Sequence, residues 1–121
     1  MRLTTQLPTA DSSPKEARAL LRKQFGGKLP ADSLYDLLTV VSELVTNAVC
    51  HGDGGAIGLA VAVGDDRVHG EVQNRGGGLV AALPVDHSRS GGLGLHIVDA
   101  LADRWNVKGD GLTRVSFELS Y

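Results

Sequence analysis

One cysteine, Cys50, stands in 121 residues, so no internal disulfide can brace the chain. Its role is read as a small residue near a buried edge; as a nucleophile it has no evident base beyond the adjacent His51. Aromatic residues are scarce at 4%, which weakens any base-stacking or sugar-stacking function. No run of eighteen apolar residues exists, so nothing reads as a membrane span. Positive charge is not in surplus: 12 Lys and Arg face 14 Asp and Glu, a formal net charge of -2, which argues against a dedicated nucleic-acid binder. The first residues, 1–14, lack the apolar core of a signal peptide. Together these absences predict a cytoplasmic protein.

Two nucleotide motifs are also missing. No Gly-Lys-Ser/Thr occurs, so there is no P-loop. A dinucleotide fingerprint begun at Gly92-Leu93-Gly94 would need a small residue at Ile97 and a strand directly before it. Asp86, His87 and Ser88 are adjacent in sequence and cannot converge as a catalytic triad does.

Hydrophobic content of 42% and charged content of 21% predict one domain, 1–121, with a single real core. Glycine is abundant: 16 in all, of which twelve lie between Gly52 and Gly94. The longest periodic stretch is 33–52, SLYDLLTVVSELVTNAVCHG. Leu34, Leu37, Leu38, Val41, Leu44, Val45, Ala48 and Val49 recur at three- and four-residue steps, which predicts an amphipathic helix capped by Asp32 or Ser33 and ended by a left-handed Gly52. On a helical wheel Glu43, Asn47 and Cys50 fall opposite the apolar face. Glu43 and Asn47 stack one turn apart, where an amide oxygen can ligate Mg2+ and a carboxylate can take a proton. By itself the pair also suits an ordinary solvated helix face.

Ser13-Pro14-Lys15-Glu16 reads as a capping box opening a helix to about Phe25, with Ala17, Leu20, Leu21 and Phe25 on its apolar face and a basic stripe of Lys15, Arg18 and Arg22 opposite. Strands are expected at 2–7, 56–63, 67–74, 105–108 and 112–119, with a helix over 93–104. Strand 56–63 carries large residues on one face and only Ala56, Gly58, Ala60 and Ala62 on the other. The order β-α-α-β-β-loop-α-β-β predicts a mixed, mainly antiparallel sheet with helices on one face. His69, Asp99 and Asp103 read as surface residues.

Three features suit one nucleotide. Asn74 closes a strand and precedes Gly76-Gly77-Gly78, where a flat base can approach the backbone without meeting a Cβ. Gly91-Gly92-Leu93-Gly94-Leu95 bares amides at a helix start, which suits phosphate. Glu43 and Asn47 would add base and metal ligand.

The stretch 42–52, Ser-Glu-Leu-Val-Thr-Asn-Ala-Val-Cys-His-Gly, resembles the N box of the GHKL ATPase superfamily, which includes gyrases and histidine kinases. The two glycine boxes and Thr113 follow in that superfamily's order. Residues 13–17 and 92–105 are most similar to the short anti-sigma-factor serine kinases. The resemblance covers nearly the whole chain. It implies the Bergerat fold, an α/β (α+β) two-layer sandwich holding ATP between helices and sheet. By position, Asn47 would ligate Mg2+ and Glu43 would be the general base. Asn74, Gly76 and Gly78 would meet the base of ATP, and Gly92, Leu93, Gly94 and Leu95 its phosphates. Residues 75–91 would form the ATP lid, and Thr113 would reach the nucleotide from the last strand, although a plain strand threonine fits the sequence equally well. Arg75 and Arg89 read as loop surface charges. The implied partners are an anti-anti-sigma protein phosphorylated on serine, a sigma factor, and a second copy of the chain, for which the face with Leu20, Leu21 and Phe25 is a candidate.

One position departs from that pattern. The superfamily's first glycine box begins with Asp, and here the residue is Asn74. Hydrogen bonds to a charged group contribute about 1.5–3 kcal/mol and neutral ones about 1, so ATP affinity is expected to fall roughly tenfold. A switch kinase, a contact module that has lost catalysis, and a detached histidine-kinase catalytic domain remain the alternatives.

Overall fold

The computed structural model describes residues 1–76, 95–109 and 111–121. Five strands, β1 (Arg2–Leu7), β2 (Ile57–Val63), β3 (Arg67–Arg75), β4 (Arg104–Gly109) and β5 (Leu112–Ser120), make one sheet in the order β1-β2-β3-β5-β4. Every described pairing is antiparallel, so the expected mixed sheet contains no parallel pair among the described residues. The reason lies in the connections. β2 meets β3 through a tight turn in which the Gly64 amide donates to Arg67 O at 2.8 Å, and β4 meets β5 around Gly111 at φ 92. Turns that short join only antiparallel neighbours.

Three helices, α1 (Ser13–Phe25), α2 (Ala31–His51) and α3 (Leu95–Leu101), cover one face. α2 packs over β2, β3 and β5, with α1 beside it toward β1 and α3 beside it toward β4. The alternation of β2 turns Ile57, Leu59, Val61 and Val63 into this layer, where they meet Leu37, Val41, Leu44 and Val45 of α2 in one core. At the sheet's centre Gly70 pairs with Phe117, whose ring lies across the space a side chain at 70 would occupy.

Several local expectations change. Ser13 is the first helical residue and wholly buried, and its hydroxyl donates to Pro8 O. It therefore ties α1 to the preceding loop, and the residue at the cap is Ser12, with no side-chain capping bond. α2 likewise begins at Ala31 behind Pro30, which fixes the entry geometry without a side-chain cap from Asp32 or Ser33. Leu21 and Phe25 are fully buried under α2 and the sheet, so they are unavailable as a dimer face. Asp103 lies beyond α3, at the entry to β4, where it accepts the Ser120 amide. Hydrogen bonding from Ser120 holds its carboxyl below the usual range. That contribution is present above the unfolded-state pKa and is lost as pH falls through the lower folded value. Asp99 accepts from Trp105 Nε1 at 2.8 Å, which pins α3 to β4.

Candidate functional site

The last turns of α2 deliver the first two candidate residues. Burial along this helix extends further round than the sequence period suggested, because the sheet lies below it and a helix packs on each side. Val40 and Asn47, two turns apart on one flank, are both inside. Asn47 is therefore not opposite the apolar face: it is 3% exposed, and its Nδ2 has no hydrogen-bond partner among the described residues. A buried donor left unpaired costs about 1–3 kcal/mol. Glu43, one turn earlier, is half-buried, and Cys50 is exposed.

The sheet delivers the next two. Asn74 of β3 is 7% exposed and lies directly across from Thr113 of β5, which is 1% exposed. Asn74 Nδ2 donates to Arg75 O at 2.8 Å. A carbonyl only accepts, so the amide nitrogen must face it, and the free acceptor of Asn74 is Oδ1. Arg75 O also takes the Asp53 amide at 3.2 Å. Gly76, at φ 99, turns the chain out of the strand; its amide donates to Gly111 O at 3.3 Å, and its carbonyl accepts from the Thr113 hydroxyl.

Gly52 joins the two halves. It is extended, with φ -80 and ψ 173, and so is not the left-handed cap that the sequence suggested. It must be glycine for another reason: a Cβ there would lie 2.6 Å from Ala48 O and 2.8 Å from Asn74 Nδ2. The end of α2 thus presses against the end of β3. Asn47 lies about 7 Å back along the helix axis at 1.5 Å per residue. Leu95, 2% exposed, begins α3, which packs on α2. Gly78, Gly92, Leu93, Gly94, Arg89 and the lid from residue 77 onward lie outside the described residues.

Sequence reasoning missed the backbone that holds Asn74 and Thr113 in place: the amide of Asp53, the carbonyls of Arg75 and Gly111, and the close approach at Gly52. One signal was available. Gly109-Asp110-Gly111 ends two residues before Thr113, and a turn that tight brings its carbonyls to the neighbouring strand end.

This strand-end and helix-end constellation, on an antiparallel sheet covered by three helices, is the frame of a nucleotide-binding ATPase. Residues 8–119 match the histidine kinase-like ATPase domain family, and the chain belongs to that family. The serine-protein kinase RsbW of Halalkalibacterium halodurans is 29% identical over 93 residues, 65% of this chain and 57% of that protein. The match therefore spans little more than half of that relative's length. The histidine kinase AdeS of Acinetobacter baumannii shares the fold, with a TM-score of 0.54 at 14% identity over 96% of this chain and 67% of that one. Among the described residues, no helix is long and apolar enough to cross a membrane.

The residues present fit a magnesium nucleotide. Asn47 has unspent hydrogen-bonding capacity in a buried place, and a half-turn of its amide presents the oxygen in place of the nitrogen. Among the described residues no three His, Cys, Asp or Glu side chains converge.

The orphaned amide makes a prediction. Asn47→Leu keeps the branched outline, with two somewhat bulkier methyl groups in place of the amide, and removes the unpaired donor. Its nucleotide-free form is expected to melt at or a few degrees above the parent, while Mg2+-dependent ATP binding is lost. Thermal melts and calorimetry on the same samples test both halves, and a lower melting point would show that Asn47 has a structural partner.

Proposed function

We propose that the chain is an ATP-dependent serine kinase of the anti-sigma-factor type, which phosphorylates a serine on an anti-anti-sigma partner and otherwise holds a sigma factor. The observation that carries this reading is Asn47, buried and without a hydrogen-bond partner among the described residues, one turn from Glu43. A scaffold that bound partners by contact alone would gain nothing from either.

In this reading Asn47 offers its amide oxygen to Mg2+, and Gly92, Leu93, Gly94 and Leu95 bring backbone amides to the phosphates. Asn74 Oδ1 accepts from the adenine amino group, while Thr113 and Gly76 set the strand end against which the base lies; Gly78 follows in the same box. Bound there, ATP would supply the phosphoryl group and Mg2+ positive charge to offset that of the phosphates. Glu43 takes the proton from the acceptor serine as its oxygen bonds to phosphorus and ADP departs. Positioning and charge neutralisation account for most of the rate in such transfers. The proposed unit of function is residues 1–121, acting in the cytoplasm, with a homodimer as its expected form.

The test is transfer of labelled γ-phosphate from Mg-ATP to a serine of the cognate partner. Stoichiometric phosphoserine supports the reading, and none after hours at saturating ATP overturns it.

Asn74 favours a second reading, a contact module with a decayed site. Asn74→Asp discriminates between them. The carboxylate is expected to bind ATP about tenfold more tightly, at a cost of about 1 kcal/mol in stability, because Arg75 O loses its amide donor. Micromolar binding by the parent, read by calorimetry, supports the kinase. Binding that appears only in the variant supports the decayed site.

A further inference from the structure

The face of the sheet turned away from the helices is basic. Strand register aligns its side chains in rows: Arg2, Ala62, His69, Glu118 and Arg104 in one, and Gln6, Gly58, Gln73, Arg114 and Lys108 in another. Six exposed cations, Arg2, Arg67, Arg75, Arg104, Lys108 and Arg114, stand on this side against two carboxylates, Glu71 and Glu118, with a third, Asp103, at its edge near Arg67 and Arg104. Half of the chain's 12 lysines and arginines therefore collect on one surface of a molecule whose formal net charge is -2.

Internal pairing does not neutralise the face. Glu71 is taken by Arg114 at 2.6 Å, and Glu118 lies 3.8 Å from Arg67 and 4.0 Å from His69. Arg2, Arg75, Arg104 and Lys108 have no carboxylate partner among the described residues.

The same face is grooved. β2 shows only Gly58, Ala60 and Ala62 between the longer side chains of β1 and β3, and the Gln73 side chain lies over Gly58. Two hollows follow this floor. One of about 240 Å³ is bounded by Arg2, Thr4, His69 and Glu71, and one of about 460 Å³ by Gln6, Gln73 and Arg75. Arg2 stands beside Ala62, and Arg75 closes the other end near Gly55. At about 3.3 Å per residue the two guanidinium-bearing ends are roughly 20 Å apart, six residues of extended chain.

We propose that this groove docks an extended acidic segment of a partner protein, with carboxylates reaching Arg2 and Arg75 at its ends. The larger hollow reaches Asn74, so the groove adjoins the proposed nucleotide site, but peptide docking does not depend on the kinase reading. A second copy of the chain is disfavoured as occupant, because two-fold pairing would set this basic face against itself. Nucleic acid is disfavoured too: no Phe, Tyr or Trp lines the two hollows over β2 for bases to stack on, and the chain as a whole is acidic.

The probe is a fluorescein-labelled decapeptide of alternating Glu and Ser, whose carboxylates share one side when extended. Anisotropy with the full chain is expected to show saturable, salt-sensitive binding. It should weaken at least tenfold in a variant combining Arg2→Glu and Arg75→Glu, the exposed cations at the two ends of the groove. Ala60→Trp, which fills the floor, should weaken it similarly. Amide shifts in 15N spectra should map to β2 and β3. Shifts confined to α1, where Lys15, Arg18 and Arg22 also carry positive charge, would overturn the proposal. So would undiminished binding by the charge-reversed variant, or tighter binding of a 20-base-pair DNA duplex than of the peptide. The Arg variant keeps the test sound even if Ala60→Trp fails to fold.

Discussion

Gly70→Ala is expected to lower the melting midpoint by roughly 5–15 °C. A Cβ at this position would lie 2.2, 2.5 and 2.9 Å from ring carbons of Phe117. The ring is 1% exposed, so it has no free direction in which to tip. The two residues are register partners on β3 and β5, the strands at the middle of the sheet. Overpacking of this kind costs about 1–3 kcal/mol, and the upper end applies where the obstructing group is itself locked in place. A second change, Phe117→Leu, should restore part of the loss when combined with Gly70→Ala, since the two substitutions share one space. Thermal or urea melts of the three variants supply the measurement. An unchanged midpoint for the single variant would mean that the ring has somewhere to go.

Glu43→Gln is expected to slow phosphoryl transfer about 100- to 10,000-fold while leaving Mg-ATP affinity within about twofold. Glutamine has the same length and can still hydrogen-bond, but it cannot take a proton from a serine hydroxyl. Glu43 is half-buried one turn from Asn47, beside a hollow it shares with Arg18 and Arg22 of α1; under the proposed function it would face the acceptor serine there. Single-turnover formation of phosphoserine gives the rate, and calorimetry gives the affinity. A loss below tenfold would remove Glu43 from the role of base. A parallel fall in affinity would make it a binding group.

Much of the fold was legible because it depends on periodicities. The step of three and four in α2 and the alternation of β2 follow from burying one face, and both elements occur where the pattern puts them. What the pattern missed is set by tertiary neighbours. Asn47 reads as an outward residue on a helical wheel, yet it is buried, because α2 is enclosed on three sides. Gly52 reads as a helix cap, yet its backbone is extended, and its missing side chain makes room for Asn74. Leu21 and Phe25 read equally well as core or as interface, and only the position of α2 and the sheet decides for the core. In the site, the order of the motifs was visible and the hydrogen bonds between them were not. Asn74 was judged by its missing charge, whereas its nitrogen has a fixed partner in Arg75 O. That partner determines which end of the amide is offered to a base.

One peptide oxygen, that of Arg75, is shared by the Asp53 amide and the Asn74 side chain. The segment from Gly52 to Ala56 therefore acts as a spacer of set length between the end of α2, with Asn47, and the end of β3, with Asn74. A residue added there would displace both at once, whereas one added at the Gly64 hairpin would displace neither. Natural length variation in this lineage should accumulate at the hairpin and be purged from the spacer.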